Sequence, residues 1–533
     1  MSPSLPPLPK GWTWATVADV GAAAEQAVLT GPFGTSLGPD DFVDASDSAV
    51  PVLTIGCLRE GDIDVSKATF VTPAKAEELD RYRLRSGDIL FSRMATVGRA
   101  GFVKRCHEGA LFNYHIMRLR LRRDALDPRF FIYYVRSSEV VRAYVRSVNH
   151  GMTRDGINTA QLSSLPVPLA PRDHQGTIVN AIEEVTSRLD AAVASLESAQ
   201  RKLKAYRASV LKAAVEGRLV PTEAELAREE GRSYEPANVL IHRILKERRR
   251  RWEEAELAKM KAAGKTPKDD RWKAKYKEPD PPDADNLPGP PEGWCWATTG
   301  QLFSFVTSGS RGWAQYYSQS GPTFLRIGNL DHDSISLDLS DIQHVSPPSG
   351  AEGTRTRVVP GDVLISITAD VGMVAVVPDE IGEAYINQHI SLARPVAGLN
   401  IHYLAWFLAS AYGGQRQFLA LQRGATKVGL GLDDIRGVSV PIPPLVEQGR
   451  IVGEIERRLS VAAQCVSDST ASRRRIRRLR QAILRSAFEG KLVDQDPADE
   501  PGDVLLARIR AEREAAAVAQ PRANRARKLK VAS

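Results

Sequence analysis

The chain lacks most of the features that announce an enzyme or a membrane protein. Its 533 residues hold four cysteines, Cys57, Cys106, Cys295 and Cys465, and none forms a CxxC pair. Neither a zinc site nor a disulfide framework is expected, and a reducing compartment is. Cys106 and His107 are adjacent, but two ligands do not make a metal site. No apolar run reaches the about 18 residues of a membrane span. The first residues, MSPSLPPLPK, lack the charged-then-apolar pattern of a signal peptide. A cytoplasmic protein is expected.

Catalytic motifs are missing too. A phosphate-binding loop needs GxxxxGK[ST]; Ala262–Thr266 supply its ending, but Lys259 stands where the upstream glycine belongs. DPPD at 280–283 is the nearest string to the [DNS]PP[YFW] loop of an amino-methyltransferase, and it lacks the aromatic that stacks on a target base. HExxH does not occur. Scattered carboxylates could in principle build a nuclease site, yet none has the spacing. The chain reads as non-catalytic.

What is present is a net charge of +8 with a pI near 9.2, a balance that attracts polyanions without specifying one, and an internal repeat. GWTWAT at 11–16 returns as GWCWAT at 293–298. VLTIGCL (52–58) matches FLRIGNL (324–330), SGDILFS (86–92) matches PGDVLIS (360–366), and FNYHI (112–116) matches INQHI (386–390). The offset drifts between these anchors and then locks. Residues 151–220 align with 424–493 without a gap, with 22 identities in 70 positions. Each half therefore has a first part that tolerates insertions, as surface loops do, and a second part whose length is fixed.

The second part predicts a long helix. Ile178, Ile182, Val185, Leu189, Ala192, Leu196, Ala199, Leu203, Tyr206 and Val210 alternate steps of four and three, the seam of a coiled coil. Gly217 and Pro221 are placed to end it. Ile451, Ile455, Ile476, Leu479 and Ile483 keep the frame in the second copy, although Arg458, Ser469 and Ser472 interrupt it. An amphipathic helix lying on a globular core is the alternative. The first parts carry short β-rich runs such as GDILFS and GMVAVVP between glycines, aspartates and prolines, giving an α+β globule in each half. Between the halves lie a charged helix around Lys246–Lys261 and a Pro-rich linker. GDVLLARIRAERE (502–514) echoes that helix, and a basic tail expected to be unstructured follows.

In this order, duplicated, these motifs resemble the specificity (S) subunit of type I restriction-modification systems. The resemblance covers nearly the whole chain. It implies an α+β fold with two globular target recognition domains separated by long antiparallel coiled-coil helices and an internal pseudo-two-fold repeat. The domains are expected at 1–172 and 290–445, the conserved-region helices at 173–220 and 446–495, the charged helix and linker at 221–289, and a C-terminal helix with its tail at 496–533. Each recognition domain would bind half of a bipartite, asymmetric site in double-stranded DNA. The helices, through Ile178, Ile182, Leu189, Leu196, Leu203, Ile451, Ile455, Ile476, Leu479 and Ile483, would dock two methyltransferase (M) subunits, and this M2S1 core would recruit restriction (R) subunits. No cofactor is expected on the chain itself: S-adenosylmethionine belongs to M, and ATP and Mg to R. Helices of roughly 40 residues span about 60 Å, and paired antiparallel they could set the heads about one duplex turn apart. A self-contained nuclease or modification enzyme, and a coiled-coil scaffold for proteins alone, are the competing readings.

The duplication ranks the DNA-contacting candidates. Heads that read different sequences should share their scaffold and phosphate contacts and differ in their base contacts. Asn113-x-His115 and Asn387-x-His389 are shared, which favours a structural or backbone role. Thr153-Arg154 and Thr426-Lys427 suit a phosphate clamp in a turn. Arg93 and Arg99 align with Ile367 and Met373, and Lys104 and Arg105 with Pro378 and Asp379. With Arg311, Gln315 and Tyr316 of the second copy, they are the candidate base readers. Trp12, Trp14, Trp294 and Trp296 could stack on unpaired bases, but their recurrence favours packed anchors. The run from Ser472 to Arg485 is assigned to a partner rather than to DNA.

Overall fold

The computed structural model describes the chain except residues 1–4, 23–25, 60, 95–96, 149–155, 268, 310, 349, 423–428 and 532–533. The chain forms two compact units. One comprises Met1–Leu196 with Ala471–Ser533, the other Glu197–Thr470. The boundaries fall inside the two long helices.

Each unit contains one copy of the repeated tryptophan strand. Thr13–Thr16 pairs antiparallel with the exit strand Pro166–Leu169, Thr13 facing Leu169 and Thr16 facing Pro166. Cys295–Thr298 pairs with Ser439–Ile442 in the same register. A threonine then caps one helical turn in both copies: Thr16 Oγ1 accepts from Asp19 N, and Thr298 Oγ1 from Gln301 N. Four strands follow as a sheet, in the spatial order Val28–Thr30, Ile116–Leu119, Ile89–Ser92, Ala100–Phe102. The second unit has Phe303–Ser308, Ile390–Pro395, Val363–Ser366, Val374–Val376 in equivalent places. The expected α+β class holds in each unit.

The predicted long helices run over Arg172–Val215 and Leu445–Phe488, 44 residues each. In the first unit, Ile178, Val179 and Ile182 from the start of one helix and Ala487 from the end of the other join the core around Trp12 and Phe130. In the second unit, Ile451, Val452 and Ile455 join Val210, Leu211 and Ala214 around Trp294. Each core thus takes the start of one long helix and the end of the other.

The charged helix between the halves, Ala237–Ala262, is part of the repeat. Ala237, Leu240, Ile241 and Ile244 are buried in the second core, and Ala237 N donates to Gly293 O at 2.8 Å. Gly502 N makes the same 2.8 Å bond to Gly11 O, and Leu505, Leu506 and Ile509 enter the first core. This last helix, beginning at Gly502, carries the GDVLLARIRAERE segment that echoes Ala237–Ala262.

Candidate nucleic-acid interface

The residues repeated between the copies build the scaffold. Trp12 and Trp294 are buried. The indoles of Trp14 and Trp296 donate to the carbonyls of Pro6 and Pro288 at 3.1 and 2.9 Å, fixing the Pro-rich approach to each head. Asp88 and Asp362 of the GD motifs are buried and take bidentate bonds of 2.7–2.8 Å from Arg120 and Arg394. Ser92 Oγ accepts from Arg99 N, and Ser366 Oγ from Met373 N, both at 2.9 Å, closing the turn after each GD strand. Gln175 and Gln448, at the helix starts, each accept a backbone N–H (Asp127, Asn400) and donate to a backbone carbonyl of the exit segment. Asn113 Oδ1 accepts from His115 N at 3.2 Å and Asn387 Oδ1 from His389 N at 3.1 Å, the side-chain-to-backbone turn these residues favour. The tryptophans and asparagines are therefore structural, as their recurrence suggested.

The copy-specific candidates scatter. Arg93 and Arg99 sit on opposite arms of one turn, between the strands Ile89–Ser92 and Ala100–Phe102. The Arg93 guanidinium lies 6.0 Å from the Phe33 ring centroid, and Nη1 reaches Tyr114 O at 3.4 Å. Arg99 is exposed. Lys104 and Arg105 follow Ala100–Phe102 at the far end of the same hairpin, where Phe102 faces Ile89. They do not join Arg93. Lys104 Nζ is bound to Asp62 at 2.7 Å, and Arg105 is exposed on a 3-10 turn. In the second head Arg311 and Gln315 are exposed. Tyr316 is half-buried, edge-on to Trp313 with centroids 6.0 Å apart. Thr153, Arg154, Thr426 and Lys427 lie outside the described residues.

Three residues that sequence reasoning passed over shape this region. Trp313 is buried, stacked on Phe324 at 5.3 Å, and its indole donates to Glu352 Oε1 at 2.7 Å; it anchors the loop that carries Arg311. Phe33 and Tyr114 are exposed and stacked, centroids 6.1 Å apart and planes 28° apart. His115 lies against Tyr114 at 3.8 Å. Burial, reinforced by the Arg93 charge, holds the His115 pKa below the usual histidine range, so the ring is neutral at pH 7. Among the described residues no group of three His, Cys, Asp or Glu could hold a metal ion, and no helix is long and apolar enough to cross a membrane.

The expected helix faces are met in part. Ile178, Ile182, Ile451 and Ile455 are buried. Leu189, Leu196, Leu203, Ile476 and Ile483 are half-buried, while Ala192 and Ala199 are exposed. Leu479 is 46% exposed, a correction to its seam position. The next residue, Arg480, is partly covered and pairs with the exposed Asp190 of the first long helix. Ile476 and Ile483 on either side keep the predicted face.

Comparison with known proteins agrees with this layout. The family described as "Type I restriction modification DNA specificity domain" matches residues 40–196 and 354–457. The type I restriction enzyme EcoBI specificity subunit of Escherichia coli is 22% identical over 429 residues, 77% of each chain. The EcoKI specificity subunit of Escherichia coli (strain K12) is 28% identical over 174 residues, 32% of this chain and 37% of that one. Two solved structures share the fold. One, reported for the complex assembly and conformational transition of a type I R-M system, has a TM-score of 0.60 at 18% identity, covering 91% of this chain and all (100%) of that chain. The other, the HsdS subunit from Thermoanaerobacter tengcongensis, has a TM-score of 0.50 at 18% identity, covering 92% of this chain and 100% of its own.

Proposed function

The chain belongs to the type I restriction-modification specificity family, and from that premise we propose that it is the subunit that selects the DNA sequence, with each head binding one half of a split, asymmetric duplex site. The observation that carries this reading is the doubled architecture. Two heads share one scaffold down to individual hydrogen bonds and differ in the side chains mounted on it, as two readers of different half-sites would.

The finer parts of the proposal rest on the helices. Their gap-free register, the Asp190–Arg480 pair, and the entry of one helix's start and the other's end into each core support antiparallel pairing and a pseudo-two-fold repeat. Val461, Val466 and Leu479 leave apolar surface exposed on the second long helix. That surface supports docking of two M subunits, with R subunits joining through the M2S1 core. In this reading the chain works in the cytoplasm, has no catalytic site, and binds no cofactor of its own. S-adenosylmethionine is carried by M, and ATP with Mg by R.

The test is to map methylated motifs in cells that contain the M partner, with and without this chain. A split motif that disappears on deletion is expected. Replacing residues 1–165 with those of another such chain should change one half of the motif. A chimaera that kept both halves would overturn the assignment of one head to one half-site.

A further inference from the structure

The two heads place chemically opposite side chains on one superimposable corner. The frame of that corner is the same in both. Gly31 N donates to Ile116 O at 3.1 Å and Gly309 N to Ile390 O at 3.3 Å. A Cβ at either glycine would lie 2.2 Å from a backbone oxygen, that of Asn113 or Asn387, so both positions require glycine. Arg93 N donates to His115 O at 3.0 Å and Ile367 N to His389 O at 2.9 Å. Arg93 O accepts from Ile157 N, and Ile367 O from Leu430 N, each at 2.9 Å. These bonds make the two glycines equivalent, and Phe33 and Arg311 each stand two residues past them in the sequence. The same bonds make Arg93 equivalent to Ile367, and Tyr114 to Gln388.

The side chains diverge at all three places. The first head shows an exposed aromatic pair, Phe33 at 57% and Tyr114 at 36%, with a guanidinium against it. The second shows an exposed Arg311, a half-buried Gln388 and a buried Ile367. Even the shared histidine differs in its surroundings. His389 Nδ1 lies 2.5 Å from Thr368 Oγ1 and its Nε2 3.0 Å from Gln388 Nε2. His115 Nδ1 has no partner among the described residues. Two stacked aromatics exposed beside a cation do not serve the core of the first head. A fixed frame carrying swapped chemistry is what readers of two different sequences require.

We propose that this corner determines the sequence preference of each head: Phe33 with Tyr114 reads its half-site by apolar contact with a thymine methyl, and Arg311 reads guanine in the other half-site. The proposal rests on the specificity reading above and names the side chains that execute it. Arg93 holds the aromatic pair from below and is a positioning residue.

The experiment uses the full chain with its M partner, methylated-motif sequencing, and binding to duplexes that vary one base pair at a time. Phe33→Ala should relax one position of one half-site, with discrimination there falling about 10- to 100-fold, and leave the other half unchanged. Arg311→Ala should do the same in the other half. Phe33→Leu, which keeps an apolar surface at an exposed position, should retain the thymine preference and guards against loss of fold. Unchanged motifs in both alanine variants would overturn the proposal. So would a uniform loss of affinity across all sequences, the signature of phosphate contacts. If the parent complex showed no split motif, the specificity reading itself would be at fault.

Discussion

The indole Nε1 of Trp294 donates to Glu447 Oε1 at 2.9 Å, both groups buried. The other oxygen of that carboxylate accepts from Glu223 N at 2.8 Å. In the first unit the equivalent pair is Trp12 and His174. There the rings meet edge-on with centroids 6.1 Å apart, and Trp12 Nε1 has no partner among the described residues. Identical tryptophans therefore do unequal work. Trp294→Phe should cost about 1–3 kcal/mol, because it strips a donor from a buried carboxylate. Trp12→Phe, which removes a donor that is already unmatched, should cost less, its penalty confined to lost packing. Thermal unfolding of the two variants checks the order, and equal losses would contradict it.

Asp88 and its repeat Asp362 tie the GD strand to the neighbouring strand through Arg120 and Arg394. The Asp88 side chain is 2% exposed and that of Arg120 12%. Removing the carboxylate takes away both charge-assisted bonds that Arg120 makes to it, a loss of about 3–5 kcal/mol. Asp88→Ala should therefore lower stability by that order in denaturant unfolding, and Asp362→Ala by less, since Arg394 is 36% exposed and solvent screens it. Neither variant should change the DNA motif of whatever protein survives folded.

Much of this scaffold was legible in the sequence. The repeat located both heads and both long helices, and the sharing of Trp12, Trp294, Asn113 and Asn387 assigned them to structure before any contact was known. The same signal was available for Asp88, Ser92 and Gln175, each repeated in the second copy. What the sequence could not show was which loop residues converge. Phe33 and Tyr114 are 81 positions apart by number and meet because Gly31 lets one loop lie against the Asn113 carbonyl. Nor could it show that Leu479 turns outward. Heptad spacing fixes a stripe, but not which of its members a neighbouring helix covers; Ile476 and Ile483 are half-buried while Leu479 between them is exposed.

Two neighbouring carboxyls should give stability opposite pH slopes. Burial raises the Glu447 pKa, outweighing its hydrogen bonds from Glu223 N and Trp294 and the charge of Arg450. A carboxyl raised on folding contributes stability below its unfolded value of about 4.5, and that contribution is lost as pH rises through the folded pKa. For Glu223 burial acts upward as well, but bonds from Arg232 and Arg450 prevail and the pKa is lowered. Its contribution is present above about 4.5 and is lost as pH falls through the folded value. Glu223→Gln should therefore destabilise at pH 7, with the deficit closing in acid, whereas Glu447→Gln should remove the opposing slope and also carry a pH-independent loss, because its amide nitrogen would face the N–H of Trp294 or Glu223. Unfolding midpoints between about pH 3.5 and pH 8 test both signs.

The exposed apolar residues of the second long helix offer the sharpest separation of folding from assembly. Leu479 is 46% exposed, and Val461 60%, whereas Ile455 is 1% exposed in the second core. An aspartate at Leu479 or Val461 meets water, so the isolated chain should unfold within about 0.5 kcal/mol of the parent. An aspartate at Ile455 buries an unpaired charge and should unfold the second unit. If M subunits cover this helix, Leu479→Asp and Val461→Asp should weaken co-purification of M at least tenfold while leaving the chain folded. If both bind M as the parent does, the docking surface lies elsewhere, and the long helices act within this chain alone.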